Sequence, residues 1–174
     1  MAVLKVTKLG NPILRKKCNP VDDFSILPKI VEDMFDTMYE EEGIGLAGNQ
    51  VDLDMNICVV DISHTEEDDV RHVFINGEII ERTGEWLMEE GCLSVPEVRL
   101  EFNRAESIRF RYQDMDGTSH EKEYDGLLAR VIQHELDHLN GNLIIDHVSK
   151  LVRMQHRQQL KEIEQAEKSL LAVK

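Results

Sequence analysis

The stretch QHELDHLNG at residues 133 to 141 constrains this chain more than any other, because it places two histidines four residues apart. On a helix such residues lie one turn apart and differ by about 40° in direction, so His134 and His138 can present ring nitrogens to one metal ion. Glu135 then lies beside the ion, which suits a general base better than a ligand. Two histidines can take this spacing by chance on a buried face, but the added glutamate favours a metal site.

A third protein ligand is needed, since a catalytic site of this kind takes three and keeps one position open. One class of zinc proteases extends the motif to HExxHxxGxxH, and here Gly141 fits but Ile144 stands where the last histidine is required. A second class takes a glutamate from a later helix. Suitable separations are found for Glu162, Glu164 and Glu167. These belong to a charge-dense segment, where carboxylates that face solvent are the expected outcome.

The upstream block EEGCLSVP, residues 89 to 96, offers a different third ligand. Cys92 sits there in a turn-like stretch, and its thiolate can complete a tetrahedral site with two histidines and one water. We expect Cys18 and Cys58 to be small buried apolar residues instead. Three cysteines far apart do not resemble a disulfide framework and fit a reducing compartment.

The order of the predicted elements is helix, strands, then helices, without βαβ alternation, which indicates an α+β fold. We predict a single domain over residues 1–174, with antiparallel strands packed around a central HExxH helix and a C-terminal helix. The expected helices run from Ser25 to no later than Gly43, from about Gly126 to Asn140, and from about Ser149 to Ala172. The expected strands are residues 56–62, two runs around a turn at Asn76-Gly77, residues 107–112, and residues 121–124 after an Asp116-Gly117 hairpin.

The formal net charge of −14 disfavours a broad nucleic-acid-binding surface, so no DNA partner is expected. No apolar run approaches the roughly 20 residues of a transmembrane helix, and the opening MAVLKVTKLG lacks signal-peptide or transit-peptide character. We therefore expect a cytoplasmic protein without a membrane partner.

Three blocks together resemble the signature motifs of the peptide deformylase family: GIGLAGNQ at 43–50, EGCLSVP at 90–96 and QHELDH at 133–138. Their order and separations also match, and the likeness extends over nearly the whole chain. The resemblance implies a hydrolase that removes the formyl group from the N-terminal formyl-methionine of newly synthesised polypeptides, releasing formate. It also implies one divalent metal ion held by Cys92, His134 and His138. The ion in this family is usually Fe2+, with Zn2+, Ni2+ or Co2+ able to occupy the site, and the spacing alone does not choose among them.

Roles for further residues follow from the same resemblance. Glu135 would accept a proton from water and return it to the leaving amine. Gln50, through its side-chain amide, and Leu93, through its backbone N–H, would stabilise the negative oxygen of the tetrahedral intermediate.

Substrate binding is expected at apolar side chains around the metal and at two glycines. The apolar candidates are Ile44, Met88, Leu127 and Val131, for which core packing is nearly as good an explanation. Gly45 and Gly91 could let an extended peptide approach and pair as an added strand. Arg99 and Arg104 follow the second motif, where peptide binding and structural ion pairing have equal weight.

Two positions depart from the family pattern. Gly48 follows Ala47 where a second alanine is usual, and Gly77 stands where relatives commonly have proline. The first removes a methyl group beside the substrate groove and predicts a less stiff loop there, and the second predicts a looser bend.

A basic stripe on the C-terminal helix stands out in an acidic chain. Its members are Lys150, Arg153, Arg157 and Lys161, and no acidic residue lies between His147 and Lys161. The ordinary explanation is a solvated helix face; the alternative is contact with ribosomal RNA.

Two other functions remain open at this point. One is an HExxH metallopeptidase, which Ile144 and the Cys92 block argue against. The other is a catalytically inactive metal-binding, ribosome-associated module, against which the retention of Glu135 and Gln50 speaks, since a merely structural site needs neither.

Overall fold

The computed structural model describes residues 2–173, so Met1 and Lys174 of the predicted domain lie outside the described residues. Its helices are α1 (Leu27–Glu40), α2 (Gly126–Leu139), α3 (Lys150–Gln155) and α4 (Arg157–Ala172). Its strands are β1 (Gly45–Ala47), β2 (Ile57–Asp61), β3 (Arg71–Thr83), β4 (Trp86–Cys92), β5 (Val95–Arg104), β6 (Ser107–Gln113) and β7 (Ser119–Asp125). This is the expected α+β fold, and no described helix is long and apolar enough to cross a membrane.

Five strands form one antiparallel sheet in the order β1, β2, β3, β6, β7, while β4 and β5 pair in a separate hairpin. The apolar run of β2 is buried on both faces. Ile57 and Val59 pack in a cluster with α1, whereas Cys58 and Val60 pack in another with α2. Successive side chains of a strand point to opposite faces, so the sheet lies between the two helices.

A third apolar cluster joins the β4–β5 hairpin to the N-terminal segment and to α4. Val98, Leu100 and Phe102 supply its strand side, and Leu14 and Leu160 supply the other elements. The hairpin therefore has a core of its own, separate from the core that holds α2 against the sheet.

The predicted turn at Asn76-Gly77 is wrong, because both residues lie inside the continuous strand β3. Asn76 takes φ 53° at a break in the pairing register with β6, which makes a bulge instead of a turn. Its side chain exchanges hydrogen bonds with the backbone of Val21. A Cβ on Gly77 would lie 2.5 Å from Phe110 Cζ, so a close approach of the ring explains this glycine.

The predicted long C-terminal helix is two helices. His156 leaves helical geometry at φ −104° and ψ 7° and ends α3. The break lets α4 bury Leu160 and Glu167, whereas α3 has no fully buried residue. The four members of the basic stripe are all exposed, but they are shared between two helices.

The strands of the β4–β5 hairpin were not predicted, although Cys92 does lie at a chain reversal. β4 ends at Cys92, and only Leu93 and Ser94 separate it from β5. The alternation of Val98, Leu100 and Phe102 was a usable strand signal.

Candidate metal centre

Helix α2 presents two different faces. Ala129, Ile132 and Leu136 are buried against the five-stranded sheet, because apolar residues three and four apart line one side of a helix. His134 and His138 lie on the side that faces the β4–β5 hairpin, and Gly141 at φ 83° closes the end of the helix. The sheet thus fixes the helix, and the helix offers its histidines to the hairpin.

Three ligand atoms converge between α2 and the end of β4. Cys92 Sγ lies 3.2 Å from His138 Nε2, and this nitrogen lies 3.3 Å from His134 Nε2. Two nitrogens bound about 2.05 Å from one metal at a tetrahedral angle would be about 3.3 Å apart. All three atoms lie within 4.8 Å of one another. Cys92, His134 and His138 therefore form a cluster that could bind a metal ion, and their spacing fits a tetrahedral one.

The surroundings of the Cys92 sulfur favour its thiolate form. Burial opposes ionisation, yet the charge on His138 and hydrogen bonds from both histidines hold the pKa of the Cys92 thiol well below its ordinary value. The thiolate is the form of cysteine that binds metals.

Glu90, which was not among the predicted site residues, orients one of these ligands. Its Oε1 lies 2.8 Å from His134 Nδ1, and it is buried beside Arg104 and Arg130. Burial alone would raise the pKa of Glu90, but hydrogen bonds from His134 and Arg104 hold it well below the usual range. With Nδ1–H donated to this carboxylate, Nε2 is the ring nitrogen that would give its lone pair to a metal ion once its own proton is displaced. The sequence did carry one signal for Glu90: it lies two residues before Cys92, a spacing that places both side chains on the same face of a strand.

Asn49, also not selected, supports the other histidine. It is fully buried in the first motif, and its side-chain amide donates to the backbone oxygen of His138. The backbone oxygen of Asn49 in turn accepts a hydrogen bond from Thr7 Oγ1, 2.9 Å away. The first motif thereby binds, through the Asn49 side chain, to the backbone at the end of α2.

Glu135 is buried between the helix and β1. Its Oε2 has no hydrogen-bond partner among the described residues, and burial raises the pKa of this carboxyl group. A Cβ on Gly45 would lie 2.5 Å from Glu135 Oε1 and 2.9 Å from Val131 Cγ1. The glycine therefore makes room for the carboxylate, which keeps one oxygen free for another proton donor.

Gln50 lies in a short 3-10 helix, Gly48–Val51, directly after β1. Its Oε1 accepts a hydrogen bond from the Ala47 N–H at 2.9 Å, which fixes the amide so that Nε2 faces the second motif. Nε2 donates to Ser94 Oγ at 3.1 Å and lies 4.0 Å from Cys92 Sγ. The amide donor of the first motif is thus beside the metal-facing cysteine.

The remaining predicted site residues occupy different surroundings. Ile44 and Leu127 are half-buried against the core cluster that contains Val131. Leu93 packs against the apolar cluster that α1 forms with the sheet, called the α1 cluster below. A Cβ on Gly91 would meet only the flexible end of Arg99, 3.0 Å away.

The two arginines of the second motif differ. Arg99 is exposed and pairs with Glu89 at 2.6 Å. Arg104 is buried and pairs with both Glu90 and Asp137, so structural ion pairing accounts for it.

The competing third ligands lie elsewhere. Ile144 is buried in the apolar cluster that joins the β4–β5 hairpin to the N-terminal segment. Of the three glutamates on α4, Glu162 is exposed as expected, but Glu167 is buried and accepts a hydrogen bond from Asn11 at 3.3 Å. The expectation of a solvated carboxylate was therefore wrong for Glu167, because α4 packs this side chain against the N-terminal segment at Asn11.

Comparison with known proteins gives one consistent result. The family model described as polypeptide deformylase matches residues 3–154. A peptide deformylase structure from Legionella pneumophila is 39% identical, with 99% of each chain covered and a TM-score of 0.85. The enzyme from Thermus thermophilus is 36% identical over 95% of this chain and 99% of its own, with a TM-score of 0.88. For Thermotoga maritima the values are 40% identity, 86% and 99% coverage, and a TM-score of 0.80.

These matches span most of the chain and nearly the full length of the relatives, at identities well above the level at which only the fold would be shared. The chain belongs to the polypeptide deformylase family, metal-dependent hydrolases that remove N-formyl groups from nascent polypeptides.

Proposed function

We propose that this chain hydrolyses the formyl amide of N-terminal formyl-methionine at the cluster of Cys92, His134 and His138. One observation carries the assignment. The three ligand atoms converge within 4.8 Å, and the residue after the first histidine, Glu135, keeps a buried carboxylate oxygen without a partner among the described residues. A purely structural metal site would not need a buried carboxylate with a free oxygen beside its ligands, whereas a catalytic site needs such a group as its general base.

The cluster would hold one divalent ion, and we propose Fe2+. A thiolate with two imidazoles also suits Zn2+, Co2+ and Ni2+, so the preference for iron rests on the family resemblance. When bound, the ion would supply Lewis-acid activation of a water molecule and of the formyl oxygen.

Glu135 is the group that would move the proton. Its free Oε2 can accept a proton from the attacking water, and the raised pKa of this carboxyl group helps it to retain that proton until the amine leaves. The same carboxyl then returns the proton to the leaving nitrogen. Because Gly45 has no Cβ, the Glu135 carboxylate can occupy this position beside β1.

Gln50 and Leu93 would stabilise the negative oxygen of the intermediate. The hydrogen bond from Ala47 to Oε1 holds the Gln50 amide so that its donor, Nε2, lies 3.1 Å from Ser94 Oγ and 4.0 Å from Cys92 Sγ. To stabilise the intermediate, Nε2 would direct one of its two N–H bonds to the substrate oxygen. The Leu93 N–H follows Cys92 directly in the two-residue connection between β4 and β5. Donors fixed before the reaction need no rearrangement when charge develops.

The substrate peptide would lie extended between the two sheets. β1 is an edge strand that pairs only with β2, and β4 pairs only with β5, among the described strands. An incoming backbone would pair with the main chain at Gly45 on the first edge and at Gly91 on the second. The half-buried Ile44 and Leu127, with Val131, would receive the methionine side chain, and the exposed Arg99 would contact the peptide beyond it.

Formate release is the direct test of the reaction. Protein purified without oxygen and loaded with Fe2+ should release formate from a formyl-Met peptide and leave the unformylated peptide intact. Cys92→Ala should lose both metal and activity, whereas the matched control Cys18→Ala should keep both. Cleavage of an internal peptide bond would support the peptidase, and no formate from metal-loaded protein would support the inactive module.

We also propose that residues 1–174 act as one catalytic domain in the cytoplasm and that the basic stripe of Lys150, Arg153, Arg157 and Lys161 contacts ribosomal RNA. All four side chains are exposed, and Arg153 has a long 3.5 Å contact with Asp146. The three free thiols suit a reducing compartment.

Co-sedimentation with ribosomes tests the contact. Reversal of the four cations to glutamate should abolish binding at low salt, because each phosphate contact contributes electrostatically. Reversal of two exposed cations on the sheet, Arg82 and Lys122, is the control and should leave it nearly unchanged. Equal binding by both variants would contradict the proposed contact.

A further inference from the structure

The contact between helix α2 and the β4–β5 hairpin is polar, although the ligand cluster depends on it. The apolar side chains of α2 belong to one core cluster and those of the hairpin to another. Within residues 2–173, no backbone hydrogen bond joins α2 to the hairpin. Direct apolar packing and backbone pairing between the two elements therefore do not fix Cys92 relative to His134 and His138. The N-terminal segment links them only indirectly, through its backbone hydrogen bonds to Ser94 and to Leu139.

Among the described residues, Arg130 makes the most side-chain hydrogen bonds across this contact. Its side chain lies one turn before His134 on the same helix face and is only 2% exposed. Nε donates to Glu90 Oε2 at 2.6 Å, and Nη1 donates to the Trp86 backbone oxygen at 2.6 Å. Nη2 donates to the backbone oxygens of Met88 and Phe102 at 3.0 Å and 2.8 Å.

These bonds reach both strands of the hairpin at once. Trp86 and Met88 lie on β4, Phe102 lies on β5, and Glu90 lies two residues before Cys92. The planar guanidinium offers five donors in a rigid fork, so it can bind several oxygens in one fixed arrangement. A lysine at the same position would offer a single compact cation and could not reproduce this geometry.

We infer that Arg130 is a positioning residue of the metal centre, which holds the hairpin against α2 and thereby sets the Cys92 sulfur at binding distance from the two histidine nitrogens. Arg130 also keeps Glu90 in place, and Glu90 orients the His134 ring. This inference rests on the metal site proposed above.

A purely structural arginine would affect folding stability and leave the affinity of the folded protein for metal unchanged. A positioning residue affects that affinity directly, because the thiolate and the imidazoles no longer meet without rearrangement. The two roles are therefore separated by metal binding measured at a temperature where every variant is folded.

The experiment uses Co2+ as the probe, with wild-type protein, Arg130→Met, Arg130→Lys and Ile75→Ala. Ile75 is fully buried in the α1 cluster, on the opposite side of the sheet from α2, so its truncation is the control for lost stability alone. Competition with a chelator gives the Co2+ affinity, and the near-ultraviolet thiolate-to-cobalt absorption reports the Cys92 contact.

We expect Arg130→Met to bind Co2+ about 10- to 100-fold more weakly than wild type, with a weaker thiolate absorption per bound ion, as for other residues that orient metal ligands. Arg130→Lys should recover part of the loss, and Ile75→Ala should match wild type. Wild-type affinity in Arg130→Met, or an equal loss in Ile75→Ala, would overturn the inference. If Arg130→Met does not fold, wild-type affinity in Arg130→Lys would overturn it equally. A wild-type protein without thiolate absorption would instead contradict the proposed metal site.

Discussion

Glu90 Oε1 lies 2.8 Å from Nδ1 of His134, so a buried carboxylate on a hairpin strand sets the orientation of an imidazole on a helix. The same carboxylate pairs with Arg104 and Arg130, which makes it the meeting point of two cations and one metal-facing ring. The second and third sequence motifs are therefore joined through this residue as well as through the ligands themselves.

Glu90→Gln should weaken metal binding about 10- to 100-fold, because the His134 ring loses its charged acceptor. It should also lower the free energy of unfolding by about 3 to 5 kcal/mol, since buried Arg130 loses its counter-ion and buried Arg104 keeps only Asp137. Chelator competition and urea denaturation measure the two effects. The neighbour Glu89 is exposed and pairs with Arg99, so Glu89→Gln is the control and should change stability by less than about 1 kcal/mol. Equal effects of the two variants would contradict this account.

Gly45→Ala should lower kcat substantially, because a Cβ would lie 2.5 Å from Glu135 Oε1 and must displace the carboxylate. Gly91→Ala is the informative comparison, since its Cβ would meet only the mobile end of Arg99 and should be tolerated better. Steady-state formate release from a formyl-Met peptide measures both. A Gly45→Ala enzyme as active as Gly91→Ala would show that the carboxylate position is not critical.

The three thiols should differ in reactivity once metal is removed by chelation. Burial raises the pKa of Cys18 to about 11 and raises that of Cys58 well above its usual value, whereas the histidines lower that of Cys92. Because the thiolate is the reactive form, alkylation of folded, chelated protein at about pH 8 should modify Cys92 alone. Bound metal should protect it. Peptide mapping by mass spectrometry identifies the site, and early labelling of Cys18 would contradict the assignment.

Cys18 should also contribute to stability at alkaline pH. Its folded-state pKa of about 11 exceeds the ordinary 9.0, so between these values the folded chain retains a proton that the unfolded chain loses. Its contribution is therefore complete below pH 9 and is lost as the pH rises to about 11. Thermal unfolding midpoints of wild type should fall more steeply over this range than those of Cys18→Ala. Parallel curves for the two proteins would show that this thiol does not contribute.

Local spacing explains how much of the site could be predicted. His134, Glu135 and His138 lie within one helix, so helix geometry alone places them together. Cys92 required chemical reasoning and the family resemblance, because it comes from a different element. The role of Arg130 was missed, since it arises from contacts between residues 40 positions apart, which no local pattern encodes. Spacing on β4 places Glu90 on the same face as Cys92, but its partners His134 and Arg130 are equally remote in sequence.

The fold errors have the same origin. Asn76-Gly77 has the composition of a hairpin turn, but the pairing of β3 with both β2 and β6 carries the strand through it. The bend at His156 depends on how α4 packs against the N-terminal segment, through contacts such as that of Asn11 with Glu167. Tertiary packing thus overrode the local preference at both positions.

The most direct test of the central claim is formate release by Glu135→Ala, with the metal content of the same sample determined. We expect full metal occupancy together with a loss of about 10²- to 10⁴-fold in kcat, because general acid-base catalysis contributes this much. Glu162→Ala, which removes an exposed carboxylate on α4, should behave as wild type. A metal-loaded Glu135→Ala enzyme within about tenfold of wild type would contradict the assignment of Glu135 as the proton-transfer group.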